Sequence, residues 1–317
     1  MQATGGRFGA MTLDPQIQAV LDHMAAASPP AGPPSLADMR AGIRAGHVAL
    51  SPAAVASVEV SEVLVPGPNG EIRCLVNRPA GDAKVLPVLV YYHGGGCMVL
   101  DADAFTPTCT QLADQAQCVV VNVDYRLAPE HPFPAPLDDA FAAYCWVLGH
   151  AGEIGGDPDR VAVGGDSAGG YLATTTCLEA KKHGVAQPVR QILIYPEVDV
   201  ADRSESMITI DAFVNEGMLA GIHAAHVGDK VLDPRASPLR ATDHRGLAPA
   251  LVLAAGHDPL RDQGRAYAAI LRRADVPVDY HVYEGTVHAF FTWGGVVDRA
   301  NDAVSEVAAD LRAAFAG

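Results

Sequence analysis

Val161-Ala-Val-Gly-Gly-Asp-Ser-Ala-Gly-Gly170 runs straight into Tyr171-Leu-Ala-Thr-Thr-Thr-Cys-Leu-Glu-Ala180. An apolar run of strand character therefore stops at a Gly-x-Ser-x-Gly corner, and a helix-like stretch begins at once. Ser167 sits on that corner. A serine hydroxyl is a poor nucleophile at neutral pH, so one that reacts must stand clear of its neighbours, beside a base, with backbone N–H groups aimed at the developing negative charge. A sharp strand-to-helix turn supplies the first and last of these. The small residues Gly165, Ala168 and Gly169 let such a turn form, and the start of a helix offers free N–H groups and a positive dipole. Taken alone, the motif is equally compatible with a tight turn whose serine only caps the helix, so the rest of the chain has to decide.

Working outward, the same alternation repeats. Pro87-Val-Leu-Val-Tyr-Tyr92 is a continuous apolar run that ends in His93-Gly-Gly-Gly96, and Cys118-Val-Val-Val-Asn-Val-Asp124 is another. Continuous apolar runs suit strands buried on both faces. Gln191–Tyr195, Ala250–Ala255 and Asp279–Tyr283 read as further strands, with helix-like stretches over Phe105–Gln117, Leu137–Leu148 and about Asp298–Phe315. Strands that each follow a helix build a mostly parallel sheet through right-handed crossovers. Ahead of this series, Val58–Val65 and Glu71–Asn77 flank the turn cluster Pro66-Gly-Pro-Asn-Gly70 as an antiparallel hairpin.

Two segments break the rhythm. Residues 1–50 hold amphipathic stretches around the breaker cluster Ser28-Pro-Pro-Ala-Gly-Pro-Pro34, too poor in apolar residues to fold alone, and read as a lid. Residues 201–231 read as an insertion packing with it, helix-like around Ala212–His226. The expected organisation is an N-terminal cap piece (1–50), a first part of an α/β domain (51–200), a cap insertion (201–231) and a second part (232–317).

Composition narrows the function classes. Of 317 residues, 49% are hydrophobic and 19% charged, a soluble globular pattern. No apolar run reaches the roughly 20 residues of a membrane span. The formal net charge of -15 argues against nucleic-acid or anionic-membrane surfaces, which bind through Lys and Arg. The six cysteines contain no Cys-x-x-Cys pair, so neither disulfides nor a zinc site is expected. Met1–Arg7 lacks an apolar leader core, and a cytoplasmic location is expected.

Twelve histidines compete to be the base beside Ser167. Ligands of open α/β sheets bind at the C-terminal ends of strands, which selects His93, His257 and His288. His93 is committed to the glycine loop, and His257 is displaced if Asp258 points into the site. His288, just past the last strand, is preferred. Its orienting acid is expected to be Asp258 at a strand end, with Asp262 as the rival and Glu197 and Asp199 as weaker candidates.

His93-Gly-Gly-Gly96, Tyr125-Arg-Leu-Ala-Pro-Glu130, Gly165-Asp-Ser-Ala-Gly169, Asp258-Pro-Leu-Arg-Asp262 and His288-Ala-Phe290 together resemble the bacterial hormone-sensitive lipase family of carboxylesterases, also called family IV or GDXG hydrolases. The resemblance covers nearly the whole chain beyond Val58. It implies an α/β-hydrolase fold: a mostly parallel eight-stranded sheet with an antiparallel N-terminal strand, helices on both faces and a small helical cap. It also implies a triad of Ser167, Asp258 and His288 and an oxyanion hole from the N–H groups of Gly95, Gly96 and Ala168. Cys97 and Asp166 are expected at the substrate pocket, and cis bonds at Ala128–Pro129 and Phe133–Pro134. Cys97 departs from the bulky residue usual after the glycines. It either enlarges the pocket or is repacked.

The expected activity is hydrolysis of small, short-acyl carboxylic esters without metal or cofactor. A peptidase or amidase on the same fold, or a non-catalytic small-ligand receptor, is the alternative. The strand Asp279–Tyr283 is expected at a sheet edge, where relatives often dimerise, and a homodimer paired through it is the expected assembly.

Overall fold

The computed structural model describes residues 12–26, 34–81 and 85–317. Met1–Arg7 and all of the proline cluster except Pro34 lie outside the described residues. Eight strands form one sheet in the order β1-β2-β4-β3-β5-β6-β7-β8. They are β1 (Val58–Gly67), β2 (Gly70–Pro79), β3 (Leu86–Tyr92), β4 (Val119–Val123), β5 (Gly156–Asp166), β6 (Gln191–Ile194), β7 (Ala250–His257) and β8 (Val278–Val287). β2 is antiparallel to both its neighbours, and every pairing from β4 to β8 is parallel.

The apolar runs are buried on both sides, as their continuity implies. In β3, Val88, Val90 and Tyr92 face one core, and Leu89 and Tyr91 face the other. The first core is covered by α4 (Ala135–His150), α5 (Ala168–His183) and α8 (Arg261–Arg273) through Leu137, Tyr144, Leu172, Tyr267 and Leu271. The second is covered by α3 (Ala102–Ala116) and α9 (Asp298–Ala316) through Phe105, Leu112, Val304 and Leu311. The result is a helix–sheet–helix sandwich whose parallel strands all end on one rim.

The N-terminal expectation divides in two. α1 (Pro15–Ala26) docks on the body rather than over the rim, because Ile17 and Val20 are buried in the second core. Burial of two such side chains stabilises by about 1.5–3 kcal/mol each. Asp14 adds a backbone bond from its N–H to the Gly285 carbonyl, 2.9 Å. α2 (Leu36–Leu50), capped by Ser35 accepting from the Asp38 N–H, has no buried residue of its own. It reaches the rim through Arg40, whose Nε donates to the Met98 carbonyl at 2.8 Å and whose Nη2 donates to the Ala128 carbonyl at 2.9 Å.

The insertion after β6 forms two short helices, α6 (Glu205–Thr209) and α7 (Glu216–His226). Its stem is clamped. Asp199 pairs with Arg240 through two bonds of 2.8 and 2.9 Å. The buried Gln263 accepts from the Val198 and Asp199 N–H groups, both at 2.9 Å.

Candidate active site

Ser167 lies between β5 and α5 at φ 55, ψ -118. For a residue with a Cβ such a backbone costs on the order of 1–3 kcal/mol and must be held by its surroundings. The Ser167 N–H donates to the Ile194 carbonyl at 2.8 Å, and its carbonyl accepts from the Tyr171 N–H at 3.1 Å and the Glu197 N–H at 3.3 Å. The turn closes only because Gly169 presses against β3: a Cβ there would sit 1.8 Å from the Tyr92 carbonyl oxygen.

His288 follows β8 directly and reaches Ser167 along the same rim of the sheet. Its Nε2 is 2.8 Å from Ser167 Oγ, and its Nδ1 is 2.7 Å from Asp258 Oδ2. Asp258 is fully buried, and its Oδ1 accepts from the Leu260 N–H at 2.8 Å. Burial disfavours the charged imidazole, but the Asp258 carboxylate and its hydrogen bond outweigh that, so the His288 pKa lies above its ordinary value. The nucleophile, base and orienting acid expected from the sequence are thus brought together.

The rival acids are engaged elsewhere. Asp262 Oδ2 accepts from the Ser206 N–H at 3.1 Å, and the Ser206 hydroxyl accepts in return from the Asp262 N–H at 3.2 Å while donating to the Pro259 carbonyl at 2.8 Å. This handshake fastens α6 to the loop that carries Asp258. Asp199 holds Arg240, and Glu197 holds His223 of α7. His281 lies on β8 against Glu306, away from Ser167.

His93-Gly-Gly-Gly96 follows β3 on the same rim. No protein acceptor among the described residues takes the N–H groups of Gly95, Gly96 or Ala168. The loop is shaped from behind: Tyr125 stacks on His93 at 4.3 Å and donates its hydroxyl to the His93 carbonyl at 2.7 Å. Both cis bonds, Ala128–Pro129 and Phe133–Pro134, are present in the following segment.

Two pocket expectations need correction. Asp166 does not face the substrate side; it is 3% exposed, and its Oδ1 accepts from Tyr91 Oη and from the Gly94 N–H, each at 2.9 Å. It braces the glycine loop against the Ser167 turn. Burial raises its pKa to about 6, against the lowering effect of the Tyr91 hydrogen bond. Cys97 is fully buried in the first core, its thiol pushed up by desolvation, so it is repacked rather than lining an enlarged cavity. The other cysteines are also free, and apart from Cys145 all are buried.

Sequence reasoning missed Arg40, Tyr91 and His223. Tyr91 reads as one more apolar residue in a strand, and nothing local marks Arg40, whose carbonyl partners lie 58 and 88 positions away. No cluster of side chains able to hold a metal occurs among the described residues, and no helix there is long and apolar enough to cross a membrane.

Comparison with known proteins places the chain among ester hydrolases of this fold. The family model for the alpha/beta hydrolase fold matches residues 89–292. The carboxylic ester hydrolase LipN of Mycobacterium tuberculosis is 41% identical over 271 residues, covering 80% of this chain and 71% of that protein. The ethyl acetate hydrolase of Pseudomonas putida is 34% identical over 284 residues, covering 80% and 87%. Among solved structures, the ester-hydrolase EH1AB1 from the metagenome of Lake Arreo superposes with a TM-score of 0.92 at 39% identity, covering 96% of this chain and all of that one.

Proposed function

Because the chain belongs to the family IV carboxylesterases of the α/β-hydrolase superfamily, we propose that it hydrolyses small, short-acyl carboxylic esters through an acyl-enzyme on Ser167. Carboxylic ester hydrolysis itself follows from the relatives. The observation that carries the finer reading is the continuous chain Ser167 Oγ–His288–Asp258, with links of 2.8 and 2.7 Å.

In this mechanism Ser167 Oγ attacks the ester carbonyl carbon while His288 Nε2 takes its proton. The carbonyl oxygen becomes an oxyanion and receives the N–H groups of Gly95, Gly96 and Ala168. Collapse expels the alcohol, which takes the proton back from His288. Water, deprotonated by His288, then attacks the acyl-enzyme, and the carboxylic acid leaves as Ser167 regains its proton. Asp258 holds His288 in the tautomer with Nδ1 protonated and balances the imidazolium that forms at each transfer.

The short-acyl preference is supported by the compact cap of α2, α6 and α7. It is also supported by the Pseudomonas putida relative, which is named for ethyl acetate. Each further buried methylene contributes about 0.8 kcal/mol until the pocket is full. The test is a nitrophenyl ester series from acetate to palmitate, run with wild type and Ser167→Ala. A short-chain maximum, with loss on the order of a million-fold in a folded Ser167→Ala protein, is expected. A maximum at palmitate, or turnover without Ser167, overturns the reading.

A further inference from the structure

The inner face of α7 reaches three separate parts of the rim. Its residues Leu219, Ile222, His223 and His226 recur at helical spacing and lie on one side. Leu219 clusters with Met207 of α6 and with Leu260, two positions after Asp258. The Ile222 side chain fills the space over Gly96: a Cβ on Gly96 would stand 2.8 Å from Ile222 Cγ2 and 3.1 Å from Cδ1. Gly96 thus accommodates a cap side chain as well as the φ of +62 that its turn requires. His223 forms a buried ion pair with Glu197. The Glu197 N–H, in turn, donates to the carbonyl of Ser167.

We propose that Ile222 is a specificity-determining residue, forming the wall of the substrate pocket beside the Gly96 N–H, and that the Glu197–His223 pair is the positioning element that holds it there. The proposal rests on the reading of Gly96 as an oxyanion donor. A substrate whose carbonyl oxygen lies on the Gly96 N–H must direct one of its two substituents past the side chain standing over Gly96. The size of residue 222 then limits the length of that substituent.

The pair suits a fixed wall better than a moving one. Glu197 is 7% exposed, and removing one member of a buried pair strands the other charge. Desolvation opposes ionisation of both groups, yet their mutual attraction keeps Glu197 below and His223 above the ordinary value. Arg203 opposes and Asp199 favours the charge on His223, while His226 and His288 favour the charge on Glu197.

The experiment measures kcat/KM on nitrophenyl esters of increasing acyl length and on acetates of increasing alcohol length. Wild type, Ile222→Ala, Ile222→Phe, His223→Ala, His223→Gln and the Ile222→Ala/His223→Ala double variant are compared, with Ser167→Ala as control. One methylene of pocket length is worth about 10–200-fold in discrimination. Ile222→Ala is therefore expected to raise the long-to-short ratio at least roughly tenfold in one series, and Ile222→Phe to lower it. His223→Ala should shift the ratio the same way, and His223→Gln, which keeps a donor for Glu197, should restore it. The double variant should shift the ratio no further than Ile222→Ala. A merely structural role for His223 would lower all esters together and leave the ratio alone. Unchanged ratios in both folded Ile222 variants, with hydrolysis still dependent on Ser167, overturn the proposal. Hydrolysis that survives Ser167→Ala overturns the underlying reading and the proposal with it.

Discussion

Asp258 and His288, 30 positions apart in the chain, meet with Oδ2 and Nδ1 2.7 Å apart at the ends of the neighbouring strands β7 and β8. Asp262, only four positions beyond Asp258, turns the other way and binds Ser206 of the cap. The Asp258-Pro-Leu-Arg-Asp262 segment therefore makes two separate contacts, to His288 with its first acid and to α6 with its last.

That division separates two variants. Asp258→Asn should lower kcat on the order of 10,000-fold by favouring the wrong imidazole tautomer, with little loss of stability. Asp262→Asn should cost far less in kcat and instead lower the thermal midpoint, since the Ser206 N–H loses a charged acceptor. Steady-state kinetics beside thermal denaturation check both. A larger kcat loss at Asp262 would transfer the orienting role to it.

The pH profile should follow His288. Only neutral imidazole accepts the Ser167 proton, and the Asp258 carboxylate raises the pKa above 6.5. The acid limb of kcat/KM should therefore have its midpoint above pH 6.5, not at or below it. Stability responds with the opposite sense. A raised folded pKa means that the stabilisation from protonated His288 is complete below the unfolded value of about 6.5 and fades as pH rises through the folded value. A profile flat down to about pH 4, well below an ordinary histidine, would exclude His288 as the base.

Asp166 should act on the glycine loop without touching substrate. Asp166→Ala strands the Gly94 N–H and the Tyr91 hydroxyl, at about 1–3 kcal/mol for each unpaired group. It should lower kcat on the order of 100-fold through a displaced oxyanion loop. Asp166→Asn keeps an acceptor and should remain within roughly tenfold of wild type. Equal losses in both variants would point to a need for the charge itself.

Arg40 and Glu130 form a pair in which the members should prove unequal. Glu130 is 50% exposed on its side chain, so Glu130→Gln should leave stability nearly unchanged. Arg40→Ala also removes the donors to the Met98 and Ala128 carbonyls and should cost about 1–3 kcal/mol. Chemical denaturation of the two variants measures the difference, and equal effects would show that the carbonyl bonds contribute little.

Among the described residues β8 pairs with no strand but β7, and while Asp14 occupies its outer edge at Gly285, Asp279–Tyr283 pair with no further strand. We propose that two copies pair antiparallel along Asp279–Tyr283 about a two-fold axis. Light scattering at micromolar concentration should give the mass of a dimer, and a monomer mass would refute the pairing.

The sequence alone determined the α/β class and pointed to Ser167 and His288 as the proposed nucleophile and base. Continuous apolar runs alternating with helix-like stretches suit strands buried on both faces, and the Gly-x-Ser-x-Gly corner and the histidine past the last strand gain their meaning from lying at strand ends. It left Asp262 as a rival to Asp258, because both acids lie in one short segment and only side-chain direction separates them. What only the tertiary structure decided involves groups distant in the chain. α1 docks on the core while α2 reaches the rim, Asp166 turns inward to Tyr91, Cys97 is repacked, and Ile222 stands over Gly96. Each depends on which surfaces meet once the sheet has closed, and no periodicity or local motif encodes that meeting.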